Sequence, residues 1–248
     1  MSGGQRVAII TGGSGGIGLA TGRLLVEGGY DVVLTARRAE PLRAAAESIG
    51  ARWAAADCAD PEAFATVVSA AGRVDLLVHA AGILAGTFVR KEALATFDDV
   101  LRTNLRSAFV VSAAALPHLP AGGRIVFVSS SSSTAPQPGE AAYSASKAGL
   151  NAFAAALAGE VERDGIAVHV VVTGPVATPM LDDVHFPMRT LAVADVAAAI
   201  AWLDRLAPNI RLPLVDLASV EAGPFAPEPF VPEAARRLGR TEGSRPSS

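Results

Sequence analysis

Val7-Ala8-Ile9-Ile10-Thr11-Gly12-Gly13-Ser14-Gly15-Gly16-Ile17-Gly18 runs straight into Leu19-Ala20-Thr21, and the order of an apolar run, a glycine cluster and an amphipathic stretch decides the fold. A short β-branched run that stops at glycines reads as a buried parallel strand ending in a tight turn. Glycine lets the backbone turn sharply and approach a pyrophosphate, and Gly18 lets the next helix pack on the sheet. The helix N-terminus adds free N–H groups and a partial positive charge. The stretch therefore predicts strand, phosphate cradle and helix, with Gly12, Ser14, Gly16, Ile17 and Gly18 facing a dinucleotide.

The same alternation continues outward. Asp31-Val32-Val33-Leu34, Leu76-Leu77-Val78, Arg124-Ile125-Val126-Phe127-Val128 and Val168-His169-Val170-Val171-Val172 read as further buried strands. The Ala/Leu-rich stretches 17–28, 40–49, 61–71, 92–116 and 143–163 read as helices, and Asp60-Pro61-Glu62 is an N-cap followed by Pro at the first helical position. A βαβ series of this kind implies an α/β fold: a single Rossmann-type domain, with a doubly wound parallel sheet in a three-layer α/β/α sandwich. Leu212-Pro213-Leu214-Val215-Asp216-Leu217 reads as a last strand, its proline placing it at an edge or at a strand start. Beyond Glu221, Pro224, Pro227, Pro229 and Pro232 are closely spaced among Gly, Ser and charge. The expected division is a dinucleotide-binding domain over 1–220 and a partly disordered extension over 221–248.

Composition narrows the function classes. Half of the 248 residues are hydrophobic but only 5% are aromatic, which suits small aliphatic strands under Ala-rich helices. The formal net charge of −3 and the absence of a basic run argue against nucleic acid as a partner. Cys58 is the single cysteine, so no disulfide or cysteine-built metal site forms within the chain, and no metal is expected. Without a secretory h-region or an apolar stretch of about 20 residues, the expectation is a cytoplasmic protein that does not enter a membrane.

At the end of the second strand an acidic residue would accept hydrogen bonds from the ribose hydroxyls of NAD. The sequence there is Leu34-Thr35-Ala36-Arg37-Arg38. Ala36 stands where the acid is expected, and Arg37, with Arg38 beside it, offers a planar cation to a 2′-phosphate, so NADP(H) is the expected cofactor.

Two further segments carry reaction chemistry: Ser129-Ser130-Ser131-Ser132-Ser133-Thr134 and Tyr143-Ser144-Ala145-Ser146-Lys147. Residues four apart share a helix face, so Tyr143 and Lys147 can act on one ligand. A nearby ammonium stabilises phenolate and is expected to lower the Tyr143 pKa toward neutrality. The serine run follows a strand, at the sheet edge where ligands bind. A hydroxyl there can steady a developing alkoxide, though composition leaves open which serine does so.

From about Val7 to Met180 the chain resembles the short-chain dehydrogenase/reductase family, through Thr11 to Gly18 and through Tyr143 to Lys147. The resemblance selects Ser130, thirteen residues before the tyrosine, and adds Asn104 in Thr103-Asn104-Leu105 as the residue that holds a relay water. It implies a catalytic set of Asn104, Ser130, Tyr143 and Lys147. It further implies cofactor contacts from Asp57 and Cys58 to adenine, from Ala80, Tyr143 and Lys147 to ribose, and from Val176 and Thr178 to the carboxamide. A substrate region of Ser131, Thr134, Gln137, Met180, Leu181, His185 and Phe186 follows, under a short lid at 181–190. The implied reaction moves a hydride between NADP(H) and a small carbonyl or alcohol, in a homodimer or homotetramer built on helices 92–116 and 143–163. A non-catalytic NADP(H)-binding regulatory or scaffold protein is the alternative, and it would not require the four catalytic positions together.

The chain also departs from the family. His79-Ala80-Ala81-Gly82 stands where Asn-Asn-Ala-Gly is usual, so the asparagines that brace the sheet are missing. His79, at a buried strand end, reads as a hydrogen-bonded structural residue. Thr173 replaces a proline before Gly174, and the usual Asp-Gly-Gly ending is absent.

Overall fold

The computed structural model describes residues 4–181 and 189–219. Seven parallel strands form one sheet: β1 Val7–Thr11, β2 Asp31–Ala36, β3 Arg52–Ala55, β4 Leu76–His79, β5 Arg124–Ser130, β6 Ala167–Thr173 and β7 Leu214–Leu217. Their order across the sheet is β3-β2-β1-β4-β5-β6-β7. Consecutive crossovers run outward from β1 in one direction and from β4 in the other, so the switch point lies between β1 and β4. Ligands of open α/β sheets bind at the carboxyl ends of strands at such a point.

Period-two alternation distributes the strand side chains between two cores. Ile9, Val33, Leu77, Ile125, Phe127 and Val168 pack on one face with residues of α3 (Pro61–Ala71), α5 (Ser107–Ala115) and α6 (Ala141–Val161). Ala8, Ile10, Val32, Leu34, Val78 and Val126 face the other way, onto α1 (Gly16–Glu27), α2 (Ala39–Glu47) and α7 (Val193–Asp204). The single doubly wound domain is thus a three-layer sandwich, as its alternating segments predict. The helix expected over 92–116 is divided: α4 (Leu94–Leu101) and α5 are joined by one π-helical turn, Arg102–Arg106. Such a turn changes which face of the helix each residue presents.

Asp60 caps α3 as expected, its Oδ1 accepting from Glu62 N at 3.0 Å and Ala63 N at 3.1 Å. β7 is the edge strand that Pro213 predicts, and Pro213 itself precedes it. β3 escaped the sequence pattern because Arg52-Trp53-Ala54-Ala55 is an edge strand with little apolar signal, and none of its residues is buried. The extension over 221–248 lies outside the described residues.

The amino end of the sheet is closed by charged side chains. Arg124 is 2% exposed, and its guanidinium donates to the Ala207 and Ile210 carbonyls and meets His169 Nε2 at 3.0 Å. These carbonyls follow the C-terminus of α7, where a cation complements the helix dipole. Asp204 accepts from Arg6 at 2.8 Å and from the Tyr30 hydroxyl. These bonds tie the amino ends of the strands to the end of α7.

Candidate active site

Gly12 follows β1 with φ +71°, in the left-handed region that glycine favours. A Cβ there would stand 2.9 Å from the Ala80 oxygen, and one on Gly18 would stand 2.4 Å from the Gly12 oxygen. The loop and α1 therefore pack as closely as the glycines permit. Gly15 is the N-cap of α1 and supplies no side-chain cap, so the first-turn N–H groups are left for a ligand. Space around Gly15 is open: a Cβ there would meet no atom within 4 Å. A cradle that no protein side chain fills, at a helix N-terminus, fits a pyrophosphate.

Gly12, Ser14, Gly16, Ile17 and Gly18 line one wall of a cleft of about 430 Å³, with Arg38, Ala80, Val176 and Thr178 in the same lining. Arg37 is exposed and acts electrostatically on Asp57. Asp57 is already engaged: Oδ1 accepts from Ala59 N at 2.9 Å and Oδ2 from Arg102 Nη2 at 2.6 Å. Burial pushes its pKa up, but the Ala59 N–H and the Arg102 guanidinium outweigh that and hold it below the usual carboxylate range. Nothing in the sequence singled out Arg102, which reaches Asp57 from the end of α4. Cys58 is buried and its thiol pKa is raised, chiefly by burial, so it is not a nucleophile. No cluster of metal-ligating side chains occurs among the described residues.

The opposite wall carries Ser130, Tyr143 and Lys147. Ser130 ends β5, accepts from Ser132 N at 3.2 Å and stands within hydrogen-bonding reach of the Tyr143 hydroxyl. Lys147 is buried and donates from Nζ to the Val128 oxygen at 2.9 Å. Burial lowers its pKa to about 8. Nζ lies 5.8 Å from the centre of the Tyr143 ring. The expected lowering of Tyr143 by this ammonium does not occur. Burial raises the phenol pKa, Ser130 offsets part of the rise, and Glu140 adds to it. Desolvation of the phenolate is the dominant effect.

Asn104, fully buried, sits in the π turn between α4 and α5. Its Oδ1 accepts from Ile83 N at 2.8 Å, and Nδ2 donates to the Ile83 oxygen and the Ser146 hydroxyl, both at 3.0 Å. Ser146 in turn donates to the Tyr143 backbone carbonyl at 2.6 Å. Asn104 thus ties the segment after β4 to the turn of α6 that bears the tyrosine. It also approaches Lys147 across Gly82, where a Cβ would stand 3.3 Å from Asn104 Oδ1 and 3.6 Å from Nζ.

His79 takes over the bracing role that the missing asparagines left open. Its Nδ1 lies 2.8 Å from Thr11 Oγ1 and its Nε2 2.9 Å from Ser107 Oγ. Ser107 donates to the Thr103 oxygen, so it accepts from His79. Thr11 Oγ1 accepts from Ala81 N and donates its own proton to Nδ1. The neutral Nε2–H tautomer satisfies every partner. Burial, with Lys147 second, lowers the His79 pKa to about 3, so the ring is neutral at physiological pH and its role is structural.

Of the expected substrate residues, Ser131, Met180 and Leu181 line the cleft. Thr134 and Gln137 are exposed outside its wall and bond to the Ser131 and Ala135 oxygens. His185, Phe186 and most of the lid expected at 181–190 lie outside the described residues. Leu84, Ser132 and Glu140 complete the substrate end without having been singled out in the sequence. Leu84 and Ser132 carry no pattern of their own. Glu140 precedes the helix expected over 143–163, so no same-face pattern marked it.

A doubly wound sheet that presents a glycine cradle opposite a tyrosine, lysine and serine defines a dinucleotide-dependent oxidoreductase. The chain belongs to the short chain dehydrogenase family, whose model matches residues 6–187. It is 36% identical over 223 residues to an acetoacetyl-CoA reductase of Acinetobacter sp., covering 80% of this chain and 90% of that protein. It is 32% identical over 213 residues to the 3-oxoacyl-[acyl-carrier-protein] reductase FabG of Rickettsia conorii, covering 80% and 88%. The structure of a short chain dehydrogenase from Burkholderia cenocepacia in complex with NADP superposes with a TM-score of 0.77 at 34% identity, covering 86% of this chain and 95% of that one.

Proposed function

We propose that the protein is an NADP(H)-dependent reductase of a ketone or aldehyde, acting on a secondary alcohol in reverse, with Tyr143 as general acid/base. The carrying observation is the meeting of Ser130, Tyr143 and Lys147 in one cleft with the glycine cradle. When bound, NADPH supplies the hydride. Ser130 donates a hydrogen bond to the carbonyl oxygen, Tyr143 delivers the proton that turns it into a hydroxyl, and Lys147 holds the ribose and returns the proton. Asn104 holds the turn that carries Tyr143 and accepts the relay water that the resemblance implies. Asp57 and Cys58 border the adenine, while Val176 and Thr178 border the carboxamide. No described helix is long and apolar enough to cross a membrane. A second copy of the chain is the expected partner. On α5, Phe109 stands 62% exposed and stacks edge-on against Phe153 of α6, on the helix pair expected to dimerise.

The test mixes purified protein with NADPH and a carbonyl panel that includes short 3-oxoacyl thioesters. NADPH is expected to be oxidised in step with alcohol formed; tight cofactor binding without turnover on any of them would overturn the assignment.

Arg37 and Arg38 supply the 2′-phosphate contacts in this reading. Arg37→Ala and Arg38→Ala are each expected to weaken NADPH binding about tenfold, the loss of a charge-assisted contact, while NADH binding changes less than about twofold. Fluorescence titration of both cofactors measures this, and equal losses would remove the phosphate assignment.

A further inference from the structure

The substrate end of the cleft carries a carboxylate that neither the cradle nor the proton path uses. Glu140 immediately precedes α6, and its side chain makes no capping bond to that helix. Instead Oε2 accepts from the Ser132 hydroxyl at 2.9 Å, and the carboxylate lines the cleft with Ser131, Leu84 and Met180. No salt bridge to Glu140 occurs among the described residues. Two cations line the same cleft, and neither is ion-paired with Glu140. Lys147 is bound to the Val128 oxygen, and Arg38 follows β2, with β1 and β4 lying between it and β5. Glu140 is therefore a carboxylate in the cleft lining that no cation among the described residues neutralises by a direct ion pair.

A carboxylate accepts hydrogen bonds and donates none. Glu140, just before the first turn of α6, and Tyr143, within that turn, line the same cleft. Glu140's charge is felt at the phenol, whose pKa it helps to raise. A substrate group that donates to Glu140 gains a charge-assisted hydrogen bond. One that brings an acceptor or an anion meets repulsion in a partly desolvated site.

We propose that Glu140 is a substrate-specificity residue that selects carbonyl compounds bearing a hydroxyl or ammonium group beside the reacting carbonyl, and disfavours those bearing a carboxylate there. The inference rests on the proposed function. Ser132 holds the carboxylate in place by its single hydrogen bond, leaving Oε1 for the substrate. A thioester carbonyl at the same position offers only acceptors, so this pocket is tuned away from such substrates.

Four methyl ketones that differ in one group test this: aminoacetone, hydroxyacetone, butanone and acetoacetate, each compared by kcat/KM with NADPH saturating. Relative to butanone, the amino and hydroxy ketones are expected to be preferred and acetoacetate disfavoured. In Glu140→Gln, which has the same shape without the charge, the advantage of aminoacetone over acetoacetate should shrink about tenfold or more. Glu140→Asp, which keeps the charge, should keep the order. Ratios to butanone cancel any common effect on Tyr143. Turnover with ratios unchanged in Glu140→Gln would overturn the inference and leave the reductase assignment standing. No oxidation of NADPH by any ketone, thioesters included, would overturn both.

Discussion

Tyr143→Phe is expected to lower kcat/KM by about a thousandfold or more while leaving NADPH affinity within about twofold of the parent protein. The hydroxyl is the proton donor of the proposed reaction, and a rate loss of that size corresponds to about 4 kcal/mol of transition-state stabilisation. The ring itself stays. It is carried by α6, whose position is set by buried Leu150, Ala154 and Leu157 and by the Asn104–Ser146 bond, none of which involves the phenolic oxygen. Thermal unfolding of the variant should therefore match the parent within a few degrees. Tyr30, the only other tyrosine, is bound to Asp204 at the amino end of the sheet and cannot substitute. Steady-state kinetics with a cofactor titration decide the matter, and retained turnover would mean that another group delivers the proton. Ser130→Ala combined with Tyr143→Phe should lose less than the product of the two single effects, because both groups act on one oxygen.

Acid should unfold the protein at unusually mild pH. His79 and His169 are held neutral in the fold, with burial lowering their pKa values to about 3 and about 4 from the ordinary 6.5. The unfolded chain binds both protons as pH falls below about 6.5, while the native state refuses them, so their contribution is complete above that pH and is lost on acidification. Each histidine costs about 1.4 kcal/mol per pH unit in this window, which gives a slope near 2.5 kcal/mol per unit around pH 5. By about pH 4.5 the accumulated loss is about 4–5 kcal/mol, comparable with the whole stability of a small domain. Urea unfolding between pH 7 and pH 4.5 measures it. His79→Asn removes one of the two protons and should halve the slope, even if stability at pH 7 falls with the loss of the Thr11–His79–Ser107 chain. A parent stability that is flat across this range would contradict the neutral, buried assignment of both rings.

The fold was legible in sequence wherever a single element carries its own pattern. The β-branched runs, the Ala/Leu helices and the Asp60-Pro61 start all report local conformation, and all reappear in place except the helix expected over 92–116, which is divided. Tyr143 and Lys147 were legible because one helix presents both. The cleft lies where the strand order reverses, which a βαβ reading of the chain also implies. β3 was not legible, because an exposed edge strand need not be apolar. The π turn at Arg102–Arg106 was hidden too, since no residue type marks a change of helical register.

What only the tertiary structure decided is which side chains meet. His79 finds Thr11 across 68 residues and Ser107 across 28, and no pattern of spacing announces either partner. Arg102 reaches back 45 residues to occupy Asp57, and the Ser132–Glu140 bond holds a carboxylate from just before α6 in the lining of the cleft. Backbone preference and hydrophobic period act over a few residues, so the glycine cradle and the Tyr143–Lys147 pair could be read directly. Hydrogen bonds and electrostatic fields act between groups that packing brings together. For that reason the protonation of His79, the raised pKa of Tyr143 and the placing of Glu140 in the cleft belong to the folded chain alone.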